Sequence, residues 1–221
     1  ASGKPGLPGT LTLPHGKGPF PAVVLVHGSG PQDRDETIGG NRPFLDIARG
    51  LAAQGIASLR YDKRTRARPQ DFSGAFGIDD ETTDDAGAAV AALGGAAAIA
   101  HDRIHVLGHS QGGLLAGRIA ARSQGKVAGL ILLAAPARPI LDLLGEQNRY
   151  LADLDGSVSA EEQAHLDALD AAIAKVRHDP AATRHSPLRA HLPLEQGAEG
   201  VLIGDVEHPQ GGDRHVDVDR V

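Results

Sequence analysis

The chain has 221 residues, enough for one domain with a sizeable core and a small insertion. Its formal charge is -6, from 22 Lys+Arg against 28 Asp+Glu, which excludes a field broadly attractive to nucleic acid or to an acidic membrane. Cysteine is absent, which excludes disulfides, thiolate metal sites and cysteine nucleophiles and leaves the chemistry to Ser, His, Asp and Glu.

No positively flanked apolar segment opens the sequence, and the longest apolar stretch, VAGLILLAAPA, falls short of the roughly 20 residues of a membrane span. A soluble cytoplasmic protein is expected, with secretion after signal removal as the alternative. Met and Trp are absent and aromatics make up 3% of the chain, so Leu, Ile, Val and Ala must build the core.

PAVVLVHG, Pro21 to Gly28, is an unbroken apolar run closed by Gly, the pattern of a strand buried on both faces of a parallel sheet. NRPFLDIARGLAAQG then places Phe44, Ile47, Ala48 and Leu51 at helical spacing and stops at Gly55, after which IASLRYD reads as a strand. RYDKRTRAR, Arg60 to Arg68, reads either as a solvated loop or as a basic cluster that attracts a carboxylate-bearing substrate. IDDETTDDAGAAVAALGG carries five acids near its beginning, which suits a helix whose positive N-terminal pole faces them. RIHVL is a strand, GGLLAGRIAAR a helix and VAGLILLAAP another buried strand. This alternation predicts a doubly wound α/β layer.

Beyond Pro139 helix follows helix, as ILDLLGEQNRYLADL and SAEEQAHLDALDAAIAKVR. Ser159 and Glu162 stand at capping-box spacing, and Leu166, Leu169, Ile173 and Val176 line one face. The expected organisation is an α/β core at 1–137 and 196–221 with a helical insertion at 138–195, which either caps a site or covers sheet surface. GVLIG reads as one more short strand, and EHPQGGDRHVDVDRV as polar loop or tail. The His and Asp of this tail match no established metal spacing. No metal and no other cofactor is expected.

Gly108-His109-Ser110-Gln111-Gly112 matches G-x-S-x-G between an apolar strand and an apolar helix, the strand-turn-helix setting of a nucleophile elbow. Such a turn holds the serine backbone in a disfavoured conformation, at a cost of about 1–3 kcal/mol, so that the hydroxyl points out from the sheet. The helix start leaves the Gln111 N–H free to donate to an oxyanion, and HGSGPQDRD, behind the earlier central strand, supplies Ser29 N–H as the second donor with Gly30 as its neighbour. His27 and His109 read as structural histidines beside the elbow rather than as bases. The alternative is a Gly-rich turn in which Ser110 merely caps a helix.

LPGTLTLP, PAVVLVHGSGPQDRDETIGGNRPFLDIARGLAAQGIASLRYDKRT and DRIHVLGHSQGGLLAGRIAAR together resemble bacterial serine esterases of the α/β-hydrolase superfamily, with relatives among cinnamoyl esterases and prolyl-oligopeptidase-like hydrolases. The resemblance implies an α/β-hydrolase fold: a mostly parallel sheet, helices on both faces and a helical cap. It also implies a Ser-acid-His triad in that chain order and ester hydrolysis through an acyl-enzyme. Ser110 maps onto the nucleophile, with Ser29 and Gln111 onto the oxyanion donors. Asp205, just past GVLIG, is the first choice of acid and Asp142 the alternative. His215 is the first choice of histidine and His208 the alternative. Too little chain follows Asp205 for another buried strand and its closing helix, so the C-terminus is expected to be shortened and the last strands missing. The expected partner is a small-molecule ester, and an open sheet edge favours a homo-oligomer. A serine peptidase or thioesterase, or a truncated or degenerate scaffold with little activity alone, are the other readings.

Overall fold

Apolar runs separated by amphipathic stretches become the strands and crossovers of one sheet. The computed structural model describes residues 6–74, 76–178 and 213–217, and the chain divides into two units, residues 1–135 with 198–221 and residues 136–197. In the first unit six strands are ordered β5-β4-β2-β3-β1-β6: β1 (Pro8–Thr12), β2 (Phe20–Val26), β3 (Ala57–Tyr61), β4 (Ile99–His109), β5 (Gly129–Leu133) and β6 (Asp213–Asp217). The central strands β5, β4, β2 and β3 are parallel, while β1 runs antiparallel to β3 and β6 antiparallel to β1.

Parallel neighbours need crossovers, supplied by α1 (Pro43–Ala53) between β2 and β3, α3 (Asp84–Gly95) between β3 and β4, and α4 (Gln111–Arg122) between β4 and β5. A short helix, α2 (Arg64–Ala67), follows β3. Successive strand side chains point to opposite faces. Val24, Val26, Ile104 and Val106 accordingly share one core with Val90 and Leu93 of α3 and Leu115 and Ile119 of α4. Val23, Leu25 and Leu107 form another with Phe44 of α1. The register sets Val26 opposite Gly108, so the loops leaving β4, β2 and β3 emerge side by side at the carboxyl ends of the strands. Sites of open α/β sheets form there.

Two strands differ from their sequence expectation. β5 was expected to be buried on both faces, yet Leu130, Ile131, Leu132 and Leu133 are 41–58% exposed; among the described residues β5 pairs with β4 alone. β6 lies in the stretch expected to be polar loop or tail. Backbone hydrogen bonding to the open edge of β1 requires no apolar side chain, which is why hydrophobic patterning missed it.

The basic stretch at the end of β3 is solvated only in part: Arg66 is exposed, but three of its cations are not. Arg60, Lys63 and Arg64 are buried and pair with Asp35, Glu81 and Asp85 respectively. Their partners Glu81 and Asp85 come from the acidic stretch, which forms a π-helical turn (Asp79–Thr83) running into α3. Those acids therefore meet side-chain cations as well as a helix pole.

The second unit contains α5 (Ile140–Ala152) and α6 (Ala160–His178). Leu166, Leu169, Ile173 and Val176 are its buried face, as their spacing predicts. The capping box also forms, with Ser159 N–H donating to Glu162 Oε2 at 2.8 Å and Glu162 N–H to Ser159 Oγ at 3.2 Å. Among the described residues no helix is long and apolar enough to cross a membrane.

Arg64 and Asp85 are joined by a hydrogen bond of 2.6 Å between side chains only 5% and 7% exposed. Truncating one partner of such a pair leaves a buried charge uncompensated, so Arg64→Ala is expected to lower unfolding free energy by about 3–5 kcal/mol. The joint replacement Arg64→Met with Asp85→Leu should recover most of that loss, as read by urea denaturation followed by circular dichroism.

Candidate active site

Ser110 stands between β4 and α4 with φ 49° and ψ -114°, in a region that costs a non-glycine residue about 1–3 kcal/mol. Two hydrogen bonds hold the turn: Ser110 N–H donates to the Leu133 carbonyl at 2.9 Å, and Leu114 N–H to the Ser110 carbonyl at 3.0 Å. The glycines around it are required by contact. A Cβ on Gly108 would strike the Gly112 carbonyl, and one on Gly112 would meet the Val26 carbonyl and lie 2.7 Å from that of His27. The first turn of α4 thus sits directly on β4 and the end of β2, and its unpaired N–H groups face the same point as the serine.

The loop leaving β2 is held from the protein side along three consecutive carbonyls. Gly28 C=O accepts from Lys63 Nζ at 2.7 Å, Ser29 C=O from Gln32 Nε2 at 3.2 Å, and Gly30 C=O from Thr65 Oγ1 at 3.3 Å and Gln32 N–H at 3.0 Å. Gly28 N–H donates to the buried Glu36 carboxylate at 2.7 Å. A Cβ on Gly28 would lie 3.4 Å from Ser110 Cβ, so any side chain at this position would reach the serine. Neither Ser29 N–H nor Gln111 N–H has an acceptor among the described residues. Two donors without acceptors among the described residues thus accompany a half-buried serine on a tight turn, an arrangement able to receive a negative oxygen.

The two histidines nearest the turn sit in different environments. His27 is buried between Phe44 and Tyr61, each ring centroid 5.2 Å away, and desolvation lowers its pKa to about 4. It is neutral at physiological pH. His109 meets Glu36 Oε1 through Nδ1 at 2.9 Å, and this hydrogen bond raises its pKa. Both have the structural roles that the sequence suggested.

Sequence reasoning missed Lys63, Glu36 and Glu81. Lys63 was read as part of a charged loop, although its place two residues past the carboxyl end of β3 was a usable signal. Glu36 has no comparable signal in the sequence: it is 2% exposed and adopts φ 52°, both consequences of the tertiary setting.

Of the expected acids and histidines, His215 alone can be located relative to Ser110 within the described residues of the first unit. His215 lies on β6 opposite Thr10, and β2, β3 and β1 separate that strand from β4. Four interstrand steps of about 4.8 Å put its backbone on the order of 19 Å from the elbow's strand. His215 thus lies on an edge strand, away from the strand that carries Ser110. Asp142 stands on the first turn of α5 in the other unit, its carboxylate bonded to Arg177. Asp205 and His208 lie outside the described residues. Among the described residues no group of three or more His, Asp or Glu is placed to hold a metal ion.

Residues 23–218 match the alpha/beta hydrolase family. The chain is 46% identical over 161 residues to esterase EstD of Thermotoga maritima, covering 73% of this chain but spanning only 38% of that relative's length. Among solved structures it is similar to 2,6-dihydroxy-pseudo-oxynicotine hydrolase, with 23% identity and a TM-score of 0.49 over 74% of this chain and 44% of the other. Proline iminopeptidase of Mycobacterium smegmatis is similar at 24% identity and a TM-score of 0.47, over 82% and 54% of the two chains.

The raised pKa of His109 fixes the sign of its pH dependence. Stability from the His109–Glu36 pair is fully present below the unfolded-state value near about 6.5 and is lost as pH rises through the higher folded value. The difference in thermal midpoint between the parent and His109→Gln should therefore be widest near about pH 5.5 and shrink by about pH 9. His27 titrates with the opposite sign but is common to both proteins, so it largely cancels; a gap that widens with pH would contradict the assignment.

Proposed function

The chain belongs to the alpha/beta hydrolase family, and from that premise we propose that it carries the nucleophile and oxyanion donors of a carboxylic-ester hydrolase. The observation that carries this reading is Ser110, at φ 49° on the strand-to-helix turn, with Ser29 and Gln111 N–H groups that have no acceptor among the described residues. Similarity to a protein named an esterase supports the same class of substrate, a small-molecule ester.

In the proposed reaction Ser110 Oγ attacks the ester carbonyl carbon while its proton passes to a histidine. The carbonyl oxygen becomes an oxyanion between the Ser29 and Gln111 amides, a type of stabilisation whose loss costs about 10²–10³ in rate per donor. Collapse of the tetrahedral intermediate expels the alcohol, which takes the proton, and water then releases the acid from the acyl-enzyme. His27 is excluded as base by burial and His109 Nδ1 by its bond to Glu36, while His215 stands four strands away. The reading retains Asp205 as acid and His208 as base in this chain. The insertion at 138–195 is assigned the role of cap from its place in the sequence, between β5 and the last segment of the core.

The test is covalent and kinetic. The parent should take up one equivalent of a fluorophosphonate at Ser110 and hydrolyse p-nitrophenyl acetate. Ser110→Ala should lose labelling and at least about 10³-fold in rate. Equal rates for the two proteins would sink the proposal. Matched ester, thioester and amide substrates then separate an esterase from a thioesterase or peptidase by their relative kcat/KM.

A further inference from the structure

We infer that Lys63 is a positioning residue of this site: its ammonium orients and polarises the Gly28–Ser29 peptide and ties Gln111 to the same point. The inference rests on the ester-hydrolase reading and names a residue through which its oxyanion site is built.

Lys63 is almost completely buried, with a side chain 2% exposed. Its three N–H donors have three acceptors: Gly28 C=O at 2.7 Å, Glu81 Oε1 at 2.8 Å and Gln111 Oε1 at 3.0 Å. With every donor used, this amine has no free proton with which to act on a substrate directly. Its acceptors instead link the two segments that supply the proposed oxyanion donors.

The first link runs through one peptide group. Gly28 C=O and Ser29 N–H belong to the same planar unit, and in a trans peptide they point in opposite directions. Fixing the carbonyl on Lys63 therefore aims Ser29 N–H away from the ammonium. A cationic donor on the carbonyl also withdraws electron density from the amide and strengthens its N–H as a donor. On the other side of the same residue, Gly28 N–H is held by Glu36 at 2.7 Å. Gly28 is thus clamped by an anion at its N–H and a cation at its C=O.

The second link is the Gln111 side chain. Its Oε1 accepts from Lys63 and, at 3.3 Å, from Thr82 Oγ1, which fixes the residue whose backbone N–H opens α4. A single ammonium therefore sets the spacing between the two donors. Packing alone gives little reason for a charge here, because replacing a buried ion pair by well-packed apolar groups is often neutral or stabilising. Orientation of the two donors is what the lysine adds.

Lys63→Met alone leaves Glu81 uncompensated, so it is compared with the double variant Lys63→Met/Glu81→Gln, which carries no stranded charge. In the folded double variant, Ser110-dependent hydrolysis of p-nitrophenyl acetate should show kcat lowered about 10- to 100-fold. KM should stay within about threefold, and affinity for a trifluoromethyl ketone should fall by the same factor as kcat. A kcat within about threefold of the parent overturns the inference. Loss of turnover in Ser110→Ala is the separate control: where it does not occur, or the parent itself has no turnover, it is the ester-hydrolase reading that fails. The role of Lys63 is then decided by the backbone amide spectrum, in which the Ser29 proton resonance should move upfield in the double variant. An unmoved Ser29 resonance overturns the inference with no reference to activity.

Discussion

The first unit is organised by the close approach of the first turn of α4 to the ends of β2 and β4. No side chain fits between them at Gly108 or Gly112, where an added Cβ would run into backbone carbonyls. Because the helix sits this deep, Ser110 must complete its turn within one residue, and it does so in a left-handed conformation that the surrounding bonds enforce. The strain is local, and the constraint that imposes it is a packing distance between secondary elements.

Around that contact the molecule buries more charge than its composition suggests. Lys63, Arg60 and Arg64 leave β3 and its following turn and enter the interior, each meeting a carboxylate from a distant segment. Their desolvation is offset only while every partner is in place, so these pairs make the relative positions of loops strongly interdependent. The loop after β2 is the clearest case. Three consecutive carbonyls are taken by side chains or backbone and Gly28 N–H by Glu36, while Ser29 N–H has no acceptor among the described residues.

Histidine shows how environment rather than residue type assigns a role. His109 directly precedes Ser110 and His27 follows the neighbouring strand β2, yet burial between aromatic rings lowers the pKa of His27 and a carboxylate raises that of His109. Their proximity to a serine in the sequence therefore says nothing of base catalysis. His215, which lies far along the chain, pairs with β1 on an edge strand.

The sequence by itself determined the features that depend on neighbouring residues: the alternating strands and helices, the α6 face of Leu166, Leu169, Ile173 and Val176, the Ser159–Glu162 capping box, and the turn at Ser110. Each is a matter of periodicity or of bonds spanning a few positions, and each can be read from a short window. The tertiary structure alone decided that Lys63 meets Gly28 and Gln111, residues 35 and 48 positions away, that Glu36 joins Gly28 to His109, that β5 is exposed and that His215 lies on an edge strand. Those outcomes follow from the strand order β4-β2-β3 and from which edge each strand occupies. Such long-range adjacency is set by the packing of whole elements and leaves no trace in the local pattern of a lysine, a glutamate or a histidine.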